Sequence, residues 1–354
     1  MNAGTTPAPT TPARTTGPAA ARRPGTGLAC LAAAGLLWGT GGLTGRLLER
    51  SSGLPALSVA GYRLATGGAL IIVFLVLTGR RWPAGRAAWT RITVIAGLAA
   101  VFQGCYFTAV SLTSVSLATL VTIGSAPVLV LAAQRVRGQR RIGRLAGCAT
   151  GLALTGLGLL VGLPSGGFAE TAVLASAGLA VLAGAGFATL TLVSARPVRG
   201  LDDLAATGFG FALGGLVLLP LAAAFGGIGF TPGPVTLGLL AVLGTAPTAV
   251  AYTLYFRALR TAPAGIAALL SLLEPLTGTV LAALILGDRL GPTGIAGAVI
   301  LALALILAAK AGLGAASGHG PAHHSRGPAQ HDHAQRGEHG ERLPHGRAGK
   351  GAGG

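Results

Sequence analysis

The stretch VSLATLVTIGSAPVLVLAA, residues 115–133, has no charged side chain and contains Pro127 beyond its middle. An α-helix needs about 20 apolar residues to cross roughly 30 Å of hydrocarbon, so this stretch predicts a membrane span. A second stretch, PAGIAALLSLLEPLTGTVLAALIL at residues 263–286, predicts another span and contains Pro275. The two prolines lie 148 residues apart, and this spacing is the first sign that the chain repeats one plan twice.

Eight further apolar segments of similar length accompany these two. The chain has 354 residues, of which 51% are hydrophobic and only 10% are charged, whereas soluble domains carry about 25% charged residues. This composition excludes a water-soluble enzyme and predicts an all-α membrane protein with ten transmembrane helices. The predicted spans are residues 27–45, 55–78, 92–110, 115–133, 145–163, 172–193, 204–224, 236–256, 263–286 and 292–310.

The two ends of the chain differ from the spans in composition. Residues 1–26 are rich in Thr, Pro and Ala, and residues 311–354 consist largely of Gly, Ala, His and charged residues. Neither segment has an apolar run that could offset the entropy of ordering, so we predict a disordered cytoplasmic leader and a disordered cytoplasmic tail. The tail histidines could bind Zn²⁺ or Ni²⁺ adventitiously, but a Gly/Pro-rich segment supplies no fixed geometry. We therefore predict no metal site and no cofactor.

The basic residues indicate how the chain is oriented in the membrane. The net charge of +17 would favour nucleic-acid binding in a soluble protein, but here Lys and Arg lie mostly between and outside the spans. With the N-terminus inside, 22 of the 26 basic residues fall on the inner side and three on the outer side. Because cytoplasmic loops hold the excess of basic residues, we predict a multi-pass protein of the cell membrane with both termini in the cytoplasm, and no nucleic-acid partner.

An internal repeat divides the ten spans into two blocks of five. Trp38 and Phe187 lie 149 residues apart, and so do Tyr106 and Tyr255. Because five is an odd number, the two blocks are inserted in opposite senses, which is a recurring plan of secondary transporters. The expected domains are a first five-helix repeat at residues 27–163 and a second, inverted five-helix repeat at residues 172–310.

Several short motifs occur along the chain in a characteristic order. They are Leu37-Trp38-Gly39-Thr40 in span one, Tyr62-Arg63-Leu64 in span two, Leu273-Glu274-Pro275-Leu276 in span nine and Leu286-Gly287-Asp288-Arg289-Leu290 after it. In this order and duplication the chain resembles the drug/metabolite transporter superfamily, and within it the EamA family of ten-span carriers, over about residues 27–310. Asp288 stands where the family usually has Glu, and the first repeat has Arg140 at that place, so no role is assigned to the position there. The resemblance implies a carrier of a small metabolite, and export in many members.

Arg63 is one of two ionisable residues predicted deep inside a span, where a charge costs about 2.5 kcal/mol or more. In one interpretation it faces a central cavity and attracts an anionic group, such as a substrate carboxylate, through two parallel hydrogen bonds. In the other it is structural, and either reaches the membrane interface or bonds carbonyls where another helix breaks. The sequence leaves both interpretations open.

Glu274 is the second such residue and directly precedes Pro275. Burial favours the neutral form of a carboxyl, which would suit a coupling group that takes up and releases a proton during transport. Alternatively, Glu274 stays protonated and bonds the carbonyl that Pro275 leaves without a donor. Pro127 and Pro275 each remove a backbone donor, so both are predicted to kink their spans.

Further polar and aromatic side chains could line a central cavity. For the polar ones, a hydrogen bond between helices worth about 1 kcal/mol is the alternative role, and for Trp38 the alternative is packing. The candidate substrate-binding residues are Trp38, Tyr62, Arg63, Gln103, Tyr106, Tyr252, Tyr255 and Ser271. Two further polar side chains could line the same cavity, Thr122 and Ser125.

These features together favour a secondary transporter that exports a small metabolite, amino acid or drug and works by alternating access. The alternative is a non-transporting membrane sensor or assembly subunit that uses its His-rich tail. We predict no enzyme activity, because the spans contain no histidine and the chain has no GxxxxGK[ST] loop. The expected partners are a small-molecule substrate and the lipid bilayer. Proton coupling, direction and oligomeric state stay open.

Overall fold

The computed structural model describes residues 24–138, 143–162, 167–287 and 289–317. Within these ranges the regular elements are helices, apart from one isolated β-bridge between Val198 and Leu201. Ten helical segments are long and apolar enough to cross a membrane, and they correspond one to one with the predicted spans. The prediction of an all-α membrane protein with ten transmembrane helices is confirmed.

The first five spans are single helices, and the last five contain more interruptions. Spans one to five are α1 Pro24–Ser52, α2 Ala56–Leu77, α3 Arg86–Leu112, α4 Val115–Val136 and α5 Arg144–Val161. Spans six and seven are α6 Glu170–Ser194 and α7 Asp203–Phe225. Span eight joins α8 Pro234–Gly244, a π-helical turn Thr245–Val250 and α9 Ala251–Ala258. Span nine joins α10 Ala264–Leu270, α11 Leu273–Leu281 and a π-helical turn Ala282–Leu286, and span ten is α12 Pro292–Ser317.

The outermost helices extend a few residues into the predicted tails. Helix α1 begins at Pro24, and proline suits the first turn of a helix because its missing N–H would have no partner there. Helix α12 continues past Lys310 to Ser317, where alanine and Leu313 favour helix and two glycines oppose it. The rest of the predicted disordered tails, residues 1–23 and 318–354, lies outside the described residues, as do Arg140 and Asp288.

The helices pack with an approximate two-fold symmetry that relates the two repeats. Span one, α1, packs against the α9 and α11 segments of spans eight and nine, and its repeat mate α6 packs against spans three and four. Span two pairs with span seven, and span five pairs with span ten, so each of these spans packs against its own repeat mate. The symmetry places spans one, three, four, six, eight and nine around the centre of the protein.

Small residues allow the pairs of repeat mates to approach closely. A Cβ added to Gly215 of α7 would lie 2.5 Å from the backbone nitrogen of Ala65 in α2, and one added to Gly156 of α5 would lie 2.5 Å from that of Leu301 in α12. Such contacts require glycine, because no side chain fits between the backbones. Association through small residues is typical of helices packed within a membrane.

The outward surface along the spans is strongly apolar. Large side chains such as Leu216, Leu284 and Leu303 are more than half exposed, whereas many interior positions are Ala or Gly. Exposed apolar area on this scale is unfavourable in water, and a lipid bilayer would cover it. The distribution agrees with a multi-pass membrane protein.

Successive connections lie at opposite ends of the protein. At one end, which we call the basic end, are the connections at residues 78–85, 195–202 and 259–263, and the Ala84 N–H donates to the Gly200 carbonyl at 3.0 Å. At the opposite end the Ser58 hydroxyl donates to the Gly227 carbonyl at 2.7 Å. The starting turn of α1 also lies at the basic end, because a Cβ on Gly27 would collide with Thr261. This alternation is what ten spans require.

Candidate substrate site

A small cavity lies in the interior between the two repeats. Its free volume of about 20 Å³ has room for one or two water molecules. Residues of spans one, three and four line it from the first repeat, and residues of spans six, eight and nine line it from the second. The lining side chains are Trp38, Phe102, Thr122, Ile123, Ala126, Phe187, Tyr252, Ser271 and Glu274.

Residues that correspond in the two repeats meet at this cavity. Trp38 and Phe187, 149 residues apart in sequence, both line it, and their ring centroids are 5.9 Å apart in an edge-to-face arrangement. Ala126 and Glu274, 148 residues apart, also line it together. The cavity therefore lies on the approximate two-fold axis, where inverted-repeat carriers place their substrate and coupling-ion sites.

Trp38 is the centre of an aromatic cluster that forms one wall of the cavity. Its ring centroid lies 4.9 Å from that of Tyr252 and 5.0 Å from that of Tyr255. Only 4% of Trp38 is exposed, and its indole Nε1 is buried without a hydrogen-bond partner in the described part of the chain. A buried N–H without a partner costs about 1–3 kcal/mol. The indole can therefore donate to a ligand in the cavity.

Tyr252 is held in place by its neighbours. Its ring packs edge-to-face on Trp38 and, at 4.6 Å between centroids, on Phe211. The buried side chain of Gln103 interacts with Tyr252, although Gln103 itself does not line the cavity. Gln103 and Tyr252 are 149 residues apart, so this interaction also joins corresponding positions of the two repeats.

Glu274 reaches the cavity at a break in span nine. Proline at 275 cannot donate to the carbonyl of Ser271, four residues earlier. The backbone N–H of Glu274 donates to this carbonyl instead, at 3.0 Å, and α10 ends just before it. This arrangement satisfies the freed carbonyl without the Glu274 carboxyl, so the half-buried side chain faces the cavity. The hydroxyl of Ser271, which also lines the cavity, donates to the Ala268 carbonyl at 2.7 Å.

Arg63 lies against a second proline-dependent break, in span eight. Pro247 leaves the carbonyl of Leu243 without its backbone donor, and the Thr248 hydroxyl donates to that carbonyl at 2.8 Å. The Nε of Arg63 donates to the same hydroxyl at 3.3 Å. Arg63 does not line the cavity, but its charge interacts with Glu274. These contacts favour the structural interpretation of Arg63 over direct contact with a substrate.

The family model of the EamA-like transporter family matches the chain twice, over residues 25–162 and 174–309. The chain belongs to this family. The "Uncharacterized transporter YwfM" of Bacillus subtilis (strain 168) is 31% identical over 278 residues, which are 78% of this chain and 92% of the relative. A solved crystal structure with 18% identity covers 81% of this chain and 98% of its own at a TM-score of 0.69, and that likeness concerns the fold alone.

Family membership makes the protein a multi-pass membrane transporter, and the two matches coincide with the two five-span blocks. The match agrees with the resemblance seen in the motifs and with two repeats of one plan. Because spans one and six, two and seven, and five and ten are repeat mates, the EamA fold positions the cavity at the contact of the two repeats.

Three of the predicted tyrosines are not among the residues that line the cavity of this EamA protein. The Tyr62 hydroxyl donates at 2.7 Å to a backbone carbonyl in the connection between spans seven and eight. Tyr106 and Thr119 share a hydrogen bond of 2.8 Å, and Tyr255 and Thr191 share one of 2.9 Å. Of the predicted residues, the structure brings Trp38, Thr122, Tyr252, Ser271 and Glu274 together around the cavity. The other predicted residues do not line it: Tyr62, Arg63, Gln103, Tyr106 and Tyr255.

Four lining residues were not predicted as site residues: Phe102, Ile123, Ala126 and Phe187. Two of them carry a signal in the sequence, because Phe187 is the repeat mate of Trp38 and Ala126 is the repeat mate of Glu274. Extending each candidate residue to its repeat mate would have identified both. Pro247 could likewise have been noticed as a proline inside an apolar run.

Metal-ligating side chains do not cluster within the described ranges. No group of three or more His, Cys, Asp or Glu residues occurs there, and the three cysteines are free thiols. The predicted His-rich segment falls beyond residue 317, outside those ranges.

Proposed function

We propose that the protein is a secondary carrier that exports a small metabolite, amino acid or drug from the cell by alternating access around the cavity. The observation that carries this proposal is the convergence of repeat-related residues on one internal cavity. Its volume of about 20 Å³ is far below the roughly 300 Å³ or more of an open ligand pocket, so this conformation is a closed one. A metabolite enters only after the two repeats move apart at one end.

The lining favours a substrate with an amino group attached to an apolar or aromatic body. Glu274 is the carboxyl of the lining, and no basic side chain is among the lining residues in the described part of the chain. The faces of Trp38 and Tyr252 attract cations through their π-systems. A substrate whose protonated amine lies near Glu274 and whose apolar part lies against Trp38 and Tyr252 makes both the ionic and the cation–π interaction. A free carboxylate would instead be repelled by the Glu274 carboxylate.

Glu274 also supports proton coupling. One carboxylate in a confined cavity can hold a proton or a protonated amine, but not both, so binding of the substrate would displace the proton. Exchange of one for the other between the two faces of the membrane gives export driven by proton entry. The backbone N–H at the Ser271 carbonyl leaves the carboxyl available for this exchange.

Transport by the purified protein in liposomes tests the function. We expect labelled aromatic amines to move across the bilayer and to accumulate when a proton gradient is imposed, with carboxylates of similar size transported poorly. The matched control is Glu49→Gln, which removes an acidic residue of α1 that does not line the cavity. If the liposomes move no member of a panel of amines, amino acids and drugs, the carrier proposal fails and a sensor or assembly role gains support.

The predicted orientation of the chain can be tested separately from the direction of transport. We propose that the basic end is cytoplasmic, because cytoplasmic loops hold the excess of Lys and Arg. In a variant lacking Cys30, Cys105 and Cys148, a cysteine at position 233 should react with an impermeant reagent from outside, and one at position 81 should not. The opposite labelling pattern would reverse the orientation.

A further inference from the structure

A second small cavity lies at the basic end, where α3, α6, α7 and the end of α9 meet. Its free volume of about 10 Å³ holds one particle the size of a water molecule. Its polar lining consists of Arg91, Ser194, Arg196, Asp203 and Arg260. None of its lining residues belongs to the substrate cavity. We call it the basic-end cavity.

The lining of the basic-end cavity has an excess of positive charge. Arg260 forms a two-pronged ion pair with Asp203, in which its Nε lies 3.1 Å from each carboxylate oxygen and its Nη2 also contacts Oδ1. This pair accounts for the single acidic group of the lining. Arg91 and Arg196 remain, and the charge of Arg91 is repelled by both Arg196 and Arg260. Three guanidinium groups thus face one carboxylate.

The end of α6 compensates part of the charge on Arg91. Its Nη1 donates to the carbonyls of Val193 and of Arg196, the latter at 3.1 Å. These carbonyls lie at the C-terminus of α6, where the helix carries a partial negative charge of about half an electron. Because this partial charge is smaller than one unit, the lining keeps a net excess of more than one positive charge.

Two buried donors of this lining lack a partner in the described part of the chain. They are the Nη1 of Arg260 and the hydroxyl of Ser194, both inaccessible to solvent. Buried polar atoms almost always have a hydrogen-bond partner, so two unpartnered donors in one cavity indicate a missing acceptor. A water molecule could accept both bonds, but it would leave the excess charge uncompensated.

We propose that the basic-end cavity binds one anionic atom, either a chloride ion or a single oxygen of a phosphate group. The anion accepts hydrogen bonds from Nη1 of Arg260 and from Ser194, and it offsets the charges of Arg91 and Arg196. The size of the cavity admits one such atom and excludes a whole polyatomic anion. A phosphate group reaches it only with one oxygen, while the others stay at the mouth beside the exposed Arg196.

The bound anion links the first repeat, through Arg91, to the second repeat, through Ser194 and Arg260. The residues around it belong to α3, α6, α7 and the connection after α9, which lie in both repeats. Any separation of the repeats at this end moves Arg91 of the first repeat away from Ser194 and Arg260, which both belong to the second repeat, and so weakens the site. The bound anion therefore stabilises the conformation in which the basic end is closed.

The test is thermal unfolding of the full-length protein in detergent at constant ionic strength, with gluconate replaced stepwise by chloride or by inorganic phosphate. We expect a saturable rise in the melting temperature with at least one of the two anions. The anion series, chloride or phosphate, in which the melting temperature rises identifies the ligand. The variants Ser194→Ala and Arg260→Lys each remove one donor, and Lys keeps a cation for Asp203. Each should weaken the apparent affinity about tenfold.

Arg199→Gln is the matched control, because Arg199 is an exposed arginine of the same connection that does not line the cavity. It should respond to the anion like the unmodified protein. If Arg260→Lys does not fold, Ser194→Ala decides alone, since it removes only a hydroxyl. A response to neither anion, or an equal response in Ser194→Ala and the unmodified protein, would overturn the proposal.

Discussion

Replacing Trp38 by phenylalanine separates its two contributions, the aromatic packing and the indole N–H. The packing comprises ring contacts with Tyr252, Tyr255 and Phe187 at 4.9, 5.0 and 5.9 Å between centroids. A phenyl ring keeps most of these contacts and removes the unpartnered Nε1. The lost packing and the removed buried donor oppose each other, so we expect the free energy of unfolding to change by less than about 1 kcal/mol.

Trp38→Ala should behave differently, because it removes all three ring contacts. Each contact contributes about 0.5–1.5 kcal/mol beyond its buried area, and an aromatic residue replaced by alanine in a core typically costs about 3–5 kcal/mol. We expect Trp38→Ala to unfold at a much lower temperature in detergent. The control is Trp89→Phe, since Trp89 is exposed and packs only on Phe209 among the described rings.

Transport assays on the same variants examine the indole N–H. If Nε1 donates to the substrate, Trp38→Phe loses one neutral hydrogen bond of about 0.5–1.5 kcal/mol, which raises KM about two- to twelvefold. An unchanged KM with normal stability would show that the substrate does not use this donor. A stability loss in Trp38→Phe as large as in Trp38→Ala would refute the separation of packing from hydrogen bonding.

Three further predictions concern Glu274, Arg63 and the contact between α7 and α2. Glu274→Gln should abolish proton-driven accumulation, while equilibrium exchange persists with about 10- to 150-fold weaker affinity for amines. If the pH profile of transport between about pH 5.5 and 8 is unchanged in this variant, Glu274 is not the coupling group. Arg63→Ala should lower thermal stability more than Arg63→Lys, because it leaves the Thr248 hydroxyl without its donor; a selective loss of transport at normal stability would instead place Arg63 in substrate binding. Gly215→Ala should destabilise the protein by about 1–3 kcal/mol in thermal unfolding, since its Cβ meets the α2 backbone, whereas Gly238→Ala, with open space around it, should not.

The number of spans and the repeat could be predicted because both depend on simple one-dimensional patterns. A membrane span depends on length and apolar composition, so a stretch such as residues 115–133 can be recognised from the sequence alone. The repeat was visible from equal spacings between like residues, among them Trp38 and Phe187. The ends of the helices were less predictable, because a helix can continue beyond the apolar run, as α12 does from Lys310 to Ser317.

The site was only partly predictable, because polarity and aromatic character do not show which way a side chain points. Tyr252 and Tyr255 are three residues apart on one helix, yet one lines the cavity and the other bonds Thr191 of α6. Arg63 was singled out for its charge, but its partner depends on the break at Pro247 in a span far away in sequence. Long-range contacts of this kind require the fold.

The breaks in the helices occur in one repeat much more than in the other. Span four remains one α-helix through Pro127, whereas its mate, span nine, is interrupted before Pro275. The carboxyl at the centre is likewise one-sided, with Glu274 opposite Ala126. Two identical halves that exchange conformations would give inward- and outward-open states of equal free energy. The two halves are unequal, so in the proposed alternating-access cycle the two states differ in free energy even without substrate, and the resting carrier opens preferentially to one side.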